Sequence, residues 1–213
     1  MSEPLHKSVL IEAQYFPPLA WFATLLPFGD IQIEKHEHFI KQTYRNRCYI
    51  NTASGVEMLT VPLTEKHGKT KITDIRIDYR QKWLNNHWRT IQSAYAAAPF
   101  FEYYAPDVHD ALFKRHDRLY DLNLNLLTMC LGWLKWSGQI RESETYEKTL
   151  ETDVIDLRSA INAKKEEDLE RFYSPVIYAQ VFGSSFVSNL SILDLIFCQG
   201  PEAGRILKAS AGK

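Results

Sequence analysis

Cysteine is scarce in this chain: Cys48, Cys130 and Cys198 are the only three in 213 residues. They lie far apart, so no CxxC pair or zinc knuckle can form locally, and an odd count argues against a disulfide framework. They read as buried, reduced thiols of a cytosolic protein. An excess of charge of one sign is also lacking. The 25 Lys and Arg against 26 Asp and Glu leave a net charge of -1. No global field then draws in nucleic acid or an anionic membrane, and any anion recognition is local. Long apolar runs are absent: every stretch is broken by Asn, Gly, Lys or Asp well before the roughly 18 residues of a membrane span. The run Val9-Leu10-Ile11 is too short for a signal peptide and meets Glu12. A cytoplasmic protein without a membrane span is expected. No GxGxxG, no Walker loop and no GxSxG elbow occurs, so no motif names a cofactor, which stays unknown. HExxH, DxD and EF-hand patterns are missing too, and so is the basic stripe of a nucleic-acid binder.

The length suits one domain over residues 1–213. Apolar residues make up 45% and aromatics 13%, enough for a sizeable core and for polar-tipped rings near a pocket. A strand is expected over 8–13, stopped by Pro17-Pro18, then a buried helix over 19–26, then a strand over 31–35 with Ile31 and Ile33 on one face. A β-meander follows, with strands over 44–51, 57–63 and 71–78. Ala53-Ser54-Gly55 forms its first turn and Gly68 lies in the second. The remainder is helical. Leu84, Trp88, Ile91, Tyr95 and Ala98 share one face before Pro99; Pro106-Asp107 opens another helix; residues 119–136 carry two apolar stripes. Residues 139–170 are polar and charged and read as a solvated segment, and 189–197 as a last apolar helix. The resulting fold class is α+β: a small, mainly antiparallel sheet in a β-rich part over 8–80, then a mainly helical part over 83–208.

The densest polar cluster runs from Lys41 to Arg47. On a strand, alternation turns Asn46, Cys48 and Ile50 toward the core and Arg45, Arg47 and Tyr49 outward. Two guanidiniums on one face, with Lys41 upstream, suit a phosphate or carboxylate clamp. They equally suit an exposed face with ion pairs to Glu34, Glu37 or Asp78. Asn46 among core-facing residues needs partners, backbone or ligand. His36 and His38 could begin a metal site but lack a third ligand, so no metal is assigned. His87, at the edge of the helical stripe, suits either a semi-buried general base or a histidine bonded to backbone. Gln14 and Tyr15 follow the first strand, where binding side chains are often presented, or they form a rigid corner with Pro17. Asp194 in an apolar helix must be paired or exposed, with Arg45 or Arg47 as partner.

In order along the chain, several groups of residues resemble the WbqC-like protein family. They are Gln14-Tyr15-Phe16-Pro17; Lys41 with Arg45-Asn46-Arg47; Leu59-Thr60-Val61-Pro62; and His87-Trp88 with Tyr95 and Pro99. Tyr178, Gln180, Leu190-Ser191-Ile192-Leu193-Asp194 and Gly200-Pro201 complete the set. The chain departs from typical members in having Tyr15 directly after Gln14, and His36-Glu37-His38 after the second strand. The resemblance implies a bacterial, cytoplasmic transferase of O-antigen-type surface-polysaccharide synthesis, passing an amino acid such as glycine to an amino sugar. Its small-molecule partner would be a nucleotide sugar or an activated amino acid. His87 would then be the catalytic base for the attacking amine. Asn46 with Gln14 would serve the oxyanion, and Lys41, Arg45 and Arg47 a phosphate, with Tyr15 and Asp194 completing the substrate-binding set. A non-catalytic module binding a metabolite or a protein is the alternative.

Overall fold

The computed structural model describes residues 8–64, 69–150, 153–162 and 166–212, with the backbone alone at 166–168. The turn expected at Gly68 lies outside these residues. Strand β1 (Ser8–Glu12) is buried at every position, and β2 (Asp30–Glu34) follows it after helix α1 (Leu19–Leu25). The two strands pair in parallel, Val9 opposite Ile31, Ile11 opposite Ile33 and Glu12 opposite Glu34. A strand covered on both faces reads as a continuous aliphatic run, which Val9-Leu10-Ile11 supplies. Parallel neighbours also need a crossover, and the corner at Pro17-Pro18 plus α1 is that crossover.

Strands β5 (Gln139–Glu142) and β6 (Val154–Asp156) flank the pair, giving the order β5-β2-β1-β6 with every pairing parallel. A separate antiparallel hairpin is made by β3 (Arg47–Thr52) and β4 (Gly55–Thr60). The molecule is therefore mixed α/β, which overturns the α+β expectation of one mainly antiparallel N-terminal sheet. The reason is local. Edge strands of three or four residues carry too little alternation to stand out, and three of the four residues of β5 are charged or polar. Arg141 of β5, for example, pairs with Asp30 of β2 through its side chain. The segment 139–170 thus supplies both outer strands of the sheet.

The expected turn at Ala53-Ser54-Gly55 forms, with Gly55 at φ 103 and Thr52 Oγ1 donating to the Gly55 carbonyl at 2.8 Å. The expected third meander strand does not form. Residues Ile72–Asp74 make a 3-10 turn, and only single bridges follow, Leu63 with Ile77 and Arg76 with Arg118. Ile72, Ile75 and Ile77 are still buried, so the apolar spacing reported a core contact and not a ladder. Helices α2 (Trp83–Tyr95), α3 (Phe101–Phe113) and α4 (Leu119–Trp133) come next. Pro106 sits inside α3 and does not open it. The chain ends with α5 (Ile192–Gln199), capped by the Ser191 hydroxyl, and α6 (Ala203–Ala209). Buried side chains from the sheet, the hairpin and all six helices form one apolar cluster, which includes the free thiols Cys48, Cys130 and Cys198. No described helix is long and apolar enough to cross a membrane.

Candidate functional site

Between β2 and β3 the chain turns sharply, with Gln42 at φ 60 and the Thr43 hydroxyl donating to the Ile40 carbonyl at 2.8 Å. This bend faces the far end of β4 and leaves a groove of about 390 Å³. Its polar lining is Lys41, Gln42, Asn46, Arg47, Thr60 and Gln81. Asn46 is fixed: its Nδ2 donates to the Val61 carbonyl at 3.0 Å and its own carbonyl accepts from Val61 N at 2.9 Å. Arg47 and Thr60 are directly opposed across the hairpin. Among the described residues, Asn46 Oδ1, Arg47 Nε and Thr60 Oγ1 are buried without a hydrogen-bond partner. A buried orphan costs about 1–3 kcal/mol, so three around one groove demand a reason. Two cations, an amide and a hydroxyl are groups of the kind that suit an anionic, oxygen-rich ligand.

Arg45 belongs elsewhere. It precedes β3, is 1% exposed, and donates from Nε and Nη2 to Glu37 at 2.7 and 2.5 Å. Its Nη2 also lies 3.8 Å from Glu12 and 3.1 Å from Ser159 Oγ. Alternation does not govern it because the strand begins only at Arg47, so the two arginines do not share an outward face. Burial pushes the Glu37 carboxyl above its usual range, against the pull of the Arg45 bonds. Replacing Arg45 would strand two buried carboxylates, so its removal reports on folding and not on a ligand. Gln14 joins this network, donating to Glu12 Oε1 at 2.7 Å and to the Ile161 carbonyl at 3.2 Å. Asn123, wholly buried on α4, donates to the Arg45 carbonyl at 2.7 Å.

Tyr15 and His87 meet behind the groove, outside its lining. The Tyr15 hydroxyl lies 3.0 Å from His87 Nδ1, and Trp83 packs edge-on against the imidazole at 5.0 Å. His87 is 5% exposed, lies on the buried face of α2 with Trp83, Ile91 and Ala94, and also bonds the Thr60 backbone. Burial lowers its pKa to about 4, so it is neutral at pH 7. It stands behind the groove wall at Thr60 and is not part of the lining. Asp194 pairs with no arginine. It accepts from Tyr95 at 3.0 Å, Tyr178 at 2.7 Å and Gln180 at 2.9 Å, and burial raises its pKa.

Of the residues expected to form a site, Lys41, Asn46 and Arg47 come together in the groove. Arg45 and Gln14 meet in the carboxylate network, Tyr15 and His87 form a buried pair, and Asp194 anchors a separate segment. Sequence reasoning missed Thr60, Gln42 and Gln81 as lining and Glu12 as a paired acid; of the ion pairs weighed for the arginines, Arg45 with Glu37 forms, while Glu34 pairs with Arg158. Glu12 had a signal: Ile11-Glu12 ends its strand as Ile33-Glu34 ends the next. His36 Nε2 lies 3.1 Å from the Ser143 carbonyl, and no three His, Cys, Asp or Glu side chains among the described residues are arranged to hold a metal.

A model of the WbqC-like protein family matches residues 12–175. The chain is also 26% identical over 232 aligned positions to the uncharacterised protein Rv1507c of Mycobacterium tuberculosis, covering 96% of this chain and 98% of that protein. No solved structure matches. The match spans the strand end at Glu12, the groove, the His87 pair and the outer strands of the sheet, and on it the chain belongs to the WbqC-like protein family.

Proposed function

We propose that this chain is a transferase that holds an anionic small molecule, a nucleotide sugar or an activated amino acid, in the groove of Lys41, Asn46, Arg47 and Thr60. The amino-acid transfer to a surface-polysaccharide amino sugar, drawn from the family resemblance, is the activity that this reading favours. The observation that carries it is the set of three partnerless buried atoms, Asn46 Oδ1, Arg47 Nε and Thr60 Oγ1, around one groove that also holds Lys41. An acceptor, a charged donor and a hydroxyl can satisfy a phosphate or carboxylate together with a neighbouring hydroxyl or amide. His87 takes a positioning role here. Neutral and bonded to Tyr15 and to the Thr60 backbone, it keeps the β4 wall of the groove in register.

The test is a thermal-shift screen with nucleotide sugars, ATP, aminoacyl-adenylate mimics and free amino acids. A ligand at a hundred times its dissociation constant adds about 2.7 kcal/mol of stability. An anionic ligand should raise the melting temperature of the natural protein and leave the Lys41→Ala/Arg47→Ala double variant unmoved. Exposed or half-buried cations contribute little to folding, so the variant's own melting point should stay near that of the parent. If no anion shifts the parent, the groove is not a ligand site. If an anion binds but no acyl or glycosyl transfer accompanies it, the chain is a metabolite-binding module.

A further inference from the structure

The same hairpin face carries a second, larger groove. Arg47 and Tyr49 are two residues apart on β3, so their side chains share the outward face, while Cys48 and Ile50 between and beyond them are buried. Arg47 lines the cationic groove, and Tyr49 lines a groove of about 720 Å³. Tyr44, Tyr173 and Phe186 line that second groove too, with Glu170 and Asn189 as polar neighbours. The rings are held in place. Tyr44 meets Tyr49 edge-on at 5.9 Å, and Phe186 meets Tyr178 edge-on at 5.1 Å. Asn189 is held at φ 53, outside the regions a non-glycine residue prefers, with its Oδ1 accepting from Ala20 N at 2.9 Å.

We propose that this aromatic groove takes the ring of the same ligand whose anionic end lies against Arg47. The site would then select a phosphorylated molecule bearing a nucleoside or sugar ring. The inference rests on the reading of the cationic groove given above. Arg47 and Tyr49 are two residues apart on β3, about 7 Å along the strand, close enough for one phosphorylated, ring-bearing molecule to meet both side chains. Tyr49 and Phe186 are half-buried over the buried Tyr44 and Tyr173, and aromatic side chains suit such rings, which are flat or present C–H faces, while a preformed wall keeps the ordering cost low. Glu170 supplies a carboxylate acceptor for ring hydroxyls beside those faces.

Isothermal titration on the full chain separates the two claims. The probes are inorganic pyrophosphate, the diphosphates of adenosine, guanosine, uridine and thymidine, and the glucose esters of those diphosphates. At least one ring-bearing probe should bind roughly tenfold or more tightly than pyrophosphate, the usual gain from one stacked ring. Tyr49→Ala should abolish that gain and leave pyrophosphate affinity unchanged, Tyr49→Phe should keep it, and Arg47→Ala should weaken every probe. A gain already present in the bare diphosphate assigns the groove to the base, and one that appears only with glucose assigns it to the sugar. If pyrophosphate binds and no ring improves on it, the aromatic subsite is refuted while the cationic groove stands. The same holds if Tyr49→Ala weakens pyrophosphate as much as the ring-bearing probe. If neither pyrophosphate nor any ring-bearing probe binds, the groove reading itself fails, and this inference with it.

Discussion

Arg45, Asn46 and Arg47 are consecutive, yet each meets a different environment. Arg45 is enclosed by Glu37, Glu12 and Ser159, Asn46 straps the hairpin to Val61, and Arg47 lines the groove with its buried Nε partnerless. The difference follows from where the strand starts, since a side chain before the first ladder residue is aimed by the preceding turn. His87 shows the same dependence on surroundings. Its ordinary pKa of 6.5 falls to about 4 because burial penalises the imidazolium, and the Thr60 backbone bond only partly opposes this. The sign of the linkage is then fixed. The unfolded chain takes up the proton first, so the stability His87 contributes is whole above pH 6.5 and is lost as pH falls toward 4. Between pH 7 and pH 5 the loss should be about 2 kcal/mol. Urea unfolding of the natural protein should show a lower midpoint at pH 5, and His87→Gln, which has no proton to gain, should show a smaller drop between the two pH values.

Asp194 acts at the scale of an element, because the segment it holds has no ladder of its own. Tyr178 and Gln180 both donate to its Oδ2, Gln180 also clasps Val187 through N and O, and Asn51 Nδ2 donates to the Phe182 carbonyl. These few bonds place Phe186 and Val187 against the hairpin. Asp194→Asn leaves one carbonyl oxygen for three donors, and each buried donor left over costs about 1–3 kcal/mol. Deuterium uptake should therefore rise through residues 178–187, while β1 and β2 keep their protection. Elements with strong local signals were legible in the sequence: β1 and β2 from their aliphatic runs, α1, α4 and α5 from apolar periodicity, and the turn before Gly55. The groove was legible to the extent that Lys41, Asn46 and Arg47 are close in sequence and rich in donors. What could not be read depends on distant partners. The buried stripe of α2 is rotated to Trp83, His87 and Ile91, leaving Leu84 and Trp88 half-buried, because α2 packs against β3 and α3 at once. Strands β5 and β6 exist because β2 and β1 offer open edges, which nothing in their own few residues announces.

At the scale of the molecule, every strand of the parallel sheet ends in an acid: in sheet order Glu142, Glu34, Glu12 and Asp156. Such an edge is where open α/β sheets commonly bind ligands. Here it is closed by the chain's own cations. Lys35 pairs with Glu142, Arg158 with both Glu34 and Asp156, and Arg45 lies near Glu12 while bonding Glu37. The groove proposed above lies instead on the hairpin, beside Arg47 and Thr60. The closure also ties distant parts of the chain together. Arg158 Nη1 reaches Glu34 Oε2 at 3.1 Å across 124 residues of sequence, and Glu34 is fully buried. Removing one partner of a buried pair costs about 3–5 kcal/mol because the other charge is left unpaired, whereas replacing both by apolar residues is close to neutral. Arg158→Leu and Glu34→Leu should each lower stability by about 3 kcal/mol at pH 7, and the double variant by clearly less than their sum. Urea unfolding of the four proteins gives that coupling directly. Additive losses would mean that Ser143 and the His36 amide, which donate to the other oxygen of Glu34, suffice to hold the first half of the sheet to the last.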